Sequence, residues 1–303
     1  MNNNKNTAVY FHLPGLFEQY DFYKVFLPLF YSHPEYFYED IEIGSLYGAP
    51  DGCIWGGGRF GADNGTPENV LALTREYGIS ARLTFSNSLL KSEHLADKKC
   101  NRLCALFEKG GAVENGVIIH SELLLDHIKR NYPGLYFVSS TTKVLTDFDE
   151  FEKELMRDEF RCAVPDFRLN KQFKTLDTLS PHLKSKVEFL CNECCSPACT
   201  DRRRCYENVS RRILGEDCPE FICSAPGGSE GYVFSKAMSN PLFIGKDDIF
   251  GTYLQKGFSE FKIEGRGLGS ALLLEFLLYY TAKPEYHLKI REKMYLNAML
   301  DLF

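Results

Sequence analysis

Five cysteines, at positions 191, 194, 195, 199 and 205, stand within fifteen residues, and Cys218 and Cys223 follow closely. Thiolates bunched just past an apolar run suit metal ligation, because soft sulfur donors must converge to hold zinc or the iron of a cluster. Cys195 and Cys199 are four apart, which on a helical turn puts both sulfurs on one face. Pro197 between them favours a tight turn with the same effect. Buried free thiols are the plain alternative, since cysteine is a common core residue. The Asn, Glu, Asp and Arg mixed among these cysteines do not read as core.

Other residues suit other chemistry. Gly56-Gly57-Gly58-Arg59-Phe60-Gly61 offers backbone amides and a guanidinium to an anion, but lacks the lysine and hydroxyl of a nucleotide loop. Arg59, Arg168, Lys262 and Arg266 together suit a carboxylate-bearing or phosphorylated ligand. With Asp166, the three arginines are the candidate catalytic residues. Lys262 and Glu264 also read as an internal salt bridge, and Arg202, Arg203, Arg204, Arg211 and Arg212 as solvated helix surface. Peptidase chemistry needs an activated nucleophile or a metal-bound water, and the sequence has neither His-Glu-x-x-His nor Gly-x-Ser-x-Gly. His12, His120 and His127 are available to a cysteine nucleophile, with His12 and His120 at strand exits.

The elements that must position these residues alternate. Short apolar strands are expected over residues 8–12, 41–44, 82–85, 116–119, 135–138, 161–164, 187–190 and 261–264. Helices are expected over 16–31, 66–77, 92–108, 121–131, 149–157, 175–179, 269–280 and 284–302. Proline at the first turn opens the second helix and Gly78 ends it. Eight evenly spaced strands alternating with helices predict a (β/α)8 TIM-type barrel, with a cysteine-rich irregular segment, 191–245, between strands seven and eight. In such barrels chemistry sits on the loops leaving the carboxyl ends of the strands. Arg59, Asn87, His120, the Ser139 run, Asp166, Arg168, Asn170, the cysteines and Arg266 all fall on those loops.

The chain has 303 residues, 44% hydrophobic and 25% charged, and reads as a single barrel domain over 1–303. A net charge of −6 argues against a broad nucleic-acid surface. The first residues lack the pattern of a signal peptide, and no apolar run reaches the length of a membrane span. A cytoplasmic location is expected, where clustered cysteines bind metal or do redox chemistry.

Asn192-Glu193-Cys194-Cys195-Ser196-Pro197-Ala198-Cys199, following an apolar strand, resembles the Asn-Glu-x-Cys-x-x-x-Cys element of peptidase family U32, the collagenase-like proteins. Pro241-Leu242-Phe243-Ile244 with Asp247-Asp248, then Tyr253, Gly257 and Phe261-Lys262-Ile263-Glu264-Gly265-Arg266, is similar to that family's closing segment. The resemblance implies a barrel with a cysteine-ligated iron–sulfur cluster, four-iron four-sulfur in type, at its carboxyl face. It implies Cys195, Cys199 and Cys223 as ligands; Cys205 is the expected fourth, with Cys191, Cys194 and Cys53 as alternates. Cys205 stands where similar sequences often carry His. A four-thiolate zinc site would use the same residues. Several relatives hydroxylate nucleobases or a quinone-precursor ring without oxygen, the nucleobase-modifying ones being associated with prephenate as hydroxyl source. The expected function is therefore modification of a small anionic or ring-containing substrate, with Arg59, Arg168 and Arg266 orienting it. A protein partner or electron donor is a further candidate; membrane and nucleic acid are not expected. A U32-type peptidase, and a non-catalytic barrel whose metal staples the cysteine segment, are the alternatives.

Overall fold

Eight short apolar runs become eight parallel strands: β1 Val9–Pro14, β2 Ile41–Gly48, β3 Ser80–Phe85, β4 Gly116–Ile119, β5 Tyr136–Ser139, β6 Phe160–Ala163, β7 Glu188–Leu190 and β8 Glu260–Lys262. The computed structural model describes residues 8–58, 64–225, 228 and 232–298. The strands lie in the order β6-β5-β4-β3-β2-β1-β8-β7. A parallel bridge between Ala163 and Val187 brings β7 beside β6 and nearly closes the ring. The expected (β/α)8 TIM-type barrel is what forms.

Helix ends follow local chemistry. Thr66 caps Pro67–Glu76 by accepting from the Asn69 amide at 3.2 Å. Asp97 accepts from the Cys100 amide at 2.8 Å, so the helix expected over 92–108 becomes a 3-10 turn, Ser92–Ala96, and a new helix, Lys98–Gly110. Pro181 opens a second short turn, Pro181–Lys184, so the helix expected over 175–179 is two single turns beginning at Phe173. The helix expected over 284–302 is a 3-10 turn, Pro284–Tyr286, followed by His287–Ala298; the residues beyond lie outside those described.

The cysteine-rich segment is less irregular than its sequence suggests. It contains a helix over Arg202–Ile213 and a shorter one over Phe234–Ser239. The first buries Arg202, Tyr206 and Ser210, four apart and on one face. Two of those three are polar, so no apolar period marks the helix.

The core has two compartments. The larger lies between the strands and the helices; it holds Phe11, Phe189 and Phe261, which are in register across β1, β8 and β7. The smaller, inside the barrel, joins Tyr47, Ile118, Val138, Cys162, Val164 and Leu190. Towards the amino-terminal ends of the strands, charge replaces hydrocarbon. Glu188, fully buried, accepts from Arg82 Nη1 at 2.5 Å and from Lys262 Nζ at 3.2 Å. His12 Nε2 lies 3.6 Å from Glu188 and 2.7 Å from Glu260. Burial alone would raise the Glu188 carboxyl, but Arg82, His12 and Lys262 outweigh it and hold it well below the usual carboxylate range. Lys262 pairs with Glu188 on the neighbouring strand, so the internal salt bridge expected of it forms with a partner other than Glu264.

Candidate metal centre and barrel mouth

The chain leaving β7 is pinned at nearly every residue. The Cys191 amide donates to the Lys262 carbonyl at 2.9 Å. Asn192 accepts from the Glu264 amide at 2.7 Å and returns a bond to the Glu264 carbonyl at 3.0 Å. Glu193 Oε1 accepts from the amides of Cys194 and Cys195, each at 2.9 Å. Asn240 donates to the carbonyls of Glu193 and Cys195, each at 3.0 Å. This strap holds the loop to the barrel end without using a thiol.

A buried ionic group backs the loop. Asp166, with no exposed surface, takes both Nε and Nη2 of Arg168, at 2.6 and 3.0 Å, and Arg168 Nη1 donates to the Cys199 carbonyl at 2.8 Å. Arg202 lies 3.3 Å from Asp166 through Nε and 2.7 Å from Glu193 through Nη2. Asp166 and Arg168 therefore set the course of the cysteine loop. Arg202 is 2% exposed, so its expected place on a solvated surface is corrected. It was hidden in a run of three arginines, two of which are exposed.

Cys195, Cys199, Cys205 and Cys223, from two loops and a helix, line one cavity of about 270 Å³, together with Cys194, Arg202, Tyr206 and Tyr232. Gly228 lines it too: a Cβ there would come within 2.6 Å of Cys223 Sγ, so glycine leaves that sulfur its space. Among the described residues no three His, Cys, Asp or Glu side chains already form a metal shell. The thiols line a space edged by the buried Arg202 guanidinium. The chemistry of the donor set fits a sulfur-ligated metal, whether zinc or the iron of a cluster. Of the alternates, Cys194 lines this cavity. Cys191 is buried, its thiol 3.5 Å from the Phe189 carbonyl, and Cys53 lies 2.8 Å from Cys100, sulfur to sulfur, beside a different cavity.

A second cavity, about 210 Å³, occupies the barrel mouth. Tyr47, Thr84, Ile118, Leu190 and Lys262 rise into it from the strands, and Ser86, the 140–142 loop and residues 264–268 surround it. Thr84 and Ser86 hydroxyls are buried with no hydrogen-bond partner among the described residues. Burial pushes the Lys262 ammonium below its ordinary range, and Arg82 and Arg266 reinforce the shift against Glu188. Tyr206 lines both this cavity and the cysteine cavity, so one aromatic ring walls the two apart. Nothing in the sequence singled out Tyr206; only its spacing from Arg202 and Ser210 hints at burial.

Arg266 lines the mouth, but its Nε pairs with Glu18 at 2.9 Å and its Nη1 donates to the Gly57 carbonyl at 3.0 Å. Lysine cannot make both bonds, and hydrogen bonds to charged groups contribute about 1.5–3 kcal/mol each. Arg266→Lys is therefore expected to lower the melting temperature, and calorimetry beside ligand titration separates that loss from any loss of affinity. Arg59 lies outside the described residues.

His120 lines a polar cavity with Lys143 and Arg203, its Nδ1 2.9 Å from the Thr142 hydroxyl. Burial, then Lys143 and Arg203, lower its pKa to about 4. An unfolded histidine binds its proton near pH 6.5. The folded chain therefore loses stability as pH falls from about 6.5 towards 4, where only the unfolded state takes up the proton. His120→Gln should flatten that part of the stability profile, as urea melts at stepped pH would record.

No family model and no curated protein matches the sequence. Among the described residues no helix is long and apolar enough to cross a membrane. One solved structure, titled "The Structure of the U32 Peptidase Mk0906", superposes with a TM-score of 0.52 over 88% of this chain and 96% of that one. At 12% identity the likeness is one of fold alone: the two chains share a barrel architecture.

Proposed function

We propose that the chain is an iron–sulfur barrel enzyme that modifies a small anionic or ring-containing substrate, by hydroxylation that does not use dioxygen. Cys195, Cys199, Cys205 and Cys223 hold the cluster, of four-iron four-sulfur type, with Cys194 beside them. The observation that carries the reading is that these thiols line one cavity which shares the Tyr206 wall with the barrel mouth. A bound cluster would supply one-electron chemistry. The protein's own part is positioning. Ile118, Leu190 and Leu268 give an apolar bed for a ring, while Lys262 Nζ and the Thr84 and Ser86 hydroxyls offer donors to an anionic or oxygen-bearing group. Tyr206 stands between the substrate and the cluster and limits water between the two. The setting is cytoplasmic, with a protein electron donor as partner.

Metal and acid-labile sulfide analysis after anaerobic purification tests the reading. Iron and sulfide in comparable amounts, on the order of four each per chain, are expected with a broad visible band near ~400 nm. Zinc without sulfide would replace the cluster by a structural four-thiolate site, and the enzyme by a stapled binding barrel. Cleavage of unstructured peptide by metal-free protein would favour the peptidase named in the neighbour's title.

A further inference from the structure

We infer that Arg202 donates a hydrogen bond to the sulfur atoms of the cluster proposed above and so sets its reduction potential; the inference rests on that cluster reading. The guanidinium is sandwiched between two rings, 4.9 Å from the Phe167 centroid and 5.2 Å from the Tyr206 centroid. Two of its nitrogens face carboxylates, Nε towards Asp166 and Nη2 towards Glu193. Nε, Nη1 and Nη2 are all buried without a hydrogen bond of good geometry among the described residues, and Nη1 takes part in neither ion pair. A buried donor left unmet is costly and calls for an acceptor. Arg202 lines the cysteine cavity, and Cys195 is among the groups acting electrostatically upon it.

A purely structural role explains this placement poorly. Arg202 is the first residue of its helix, where the helix dipole disfavours a cation. Asp166 and Glu193 offset that, but Asp166 is already gripped at both oxygens by Arg168. Thiolate and sulfide sulfurs in the cavity are anionic acceptors that would meet Nη1. Hydrogen bonds to sulfur are one of the levers by which a protein tunes a cluster, and a donor here stabilises the reduced, more negative state.

The test is a redox titration of anaerobically purified wild-type and Arg202→Lys proteins, with iron and sulfide measured on both. Lysine keeps the charge but loses the planar fork. The expected result is wild-type iron content with the reduced-to-oxidised ratio, at a given potential, lowered about tenfold, which is about 59 mV for a one-electron couple. A loaded Arg202→Lys protein with an unchanged potential overturns the inference while leaving the cluster in place. If that variant does not load, pulsed electron paramagnetic resonance of reduced, 15N-arginine-labelled wild-type protein decides. Hyperfine coupling to a guanidinium nitrogen supports the donor, and its absence overturns it. Wild-type protein without iron or sulfide removes the cluster reading itself, and Arg202's role falls with it.

Discussion

Cys195→Ser and Cys199→Ser proteins, purified without oxygen, are each expected to retain less than about a tenth of the wild-type iron. Even residues that only support a metal ligand cost roughly 10–100-fold in affinity when lost, and in the proposed centre these two supply the sulfur itself. Serine oxygen is a harder, more basic donor and a poor substitute for thiolate. The loop should survive the change, because the Glu193, Asn240 and Arg168 bonds that hold it go to backbone atoms. Cys100→Ser is the control. Its sulfur lies 2.8 Å from Cys53 in the core on the Lys98–Gly110 helix, so iron content should not change. Full iron in both loop variants would remove the proposed centre.

The second large effect concerns stability. Glu188→Ala strands Arg82, Lys262 and His12 inside the barrel with their shared carboxylate gone. Removing one partner of a buried ionic group costs about 3–5 kcal/mol, because the charges left behind cannot reach water. Denaturant melts should show that loss at neutral pH. The pH dependence follows from the lowered Glu188 pKa. A carboxyl held below its unfolded value, near ~4.3, contributes stability that is complete above that value and is lost as pH falls towards the folded one. Wild-type protein should weaken below about pH 4–5 more steeply than Glu188→Gln, which has no proton to gain there. Equal acid sensitivity in the two proteins would show that Glu188 is not the group responsible.

Much of this was legible in the sequence, for identifiable reasons. Strands such as Gly116–Ile119 are short, apolar and bounded by polar turns, and they formed where expected. The cysteines announced themselves by crowding, and the four chosen as ligands share a cavity. What was illegible is buried by ionic or polar partners instead of by hydrocarbon. Arg202 and Ser210 give their helix a polar inner face, which no hydrophobic period reveals. Asp166 and Arg168 looked like groups for a substrate, but their bidentate pair and the bond to the Cys199 carbonyl depend on distances only the fold supplies. Arg266 was expected to aim at a ligand, and Glu18, far away in sequence, takes its Nε.

The joint between β6 and β7 is a single bridge, Ala163 to Val187, with the Ala163 amide donating to the Lys186 carbonyl at 2.9 Å; every other adjacent pair has a ladder. Side chains hold the rest of that seam: Asn170, beyond β6, donates to the Leu190 carbonyl at 2.9 Å, and Arg168 to the Cys199 carbonyl at 2.8 Å. Because β7 runs straight into the cysteine loop, the ring is latched at this seam by side chains more than by backbone pairing. For the centre proposed above, release of this latch is a local opening that would admit a preformed inorganic core without global unfolding. The order of events would be a folded receptacle first and its filling second, with amide exchange at Ala163 slowing once the receptacle is filled.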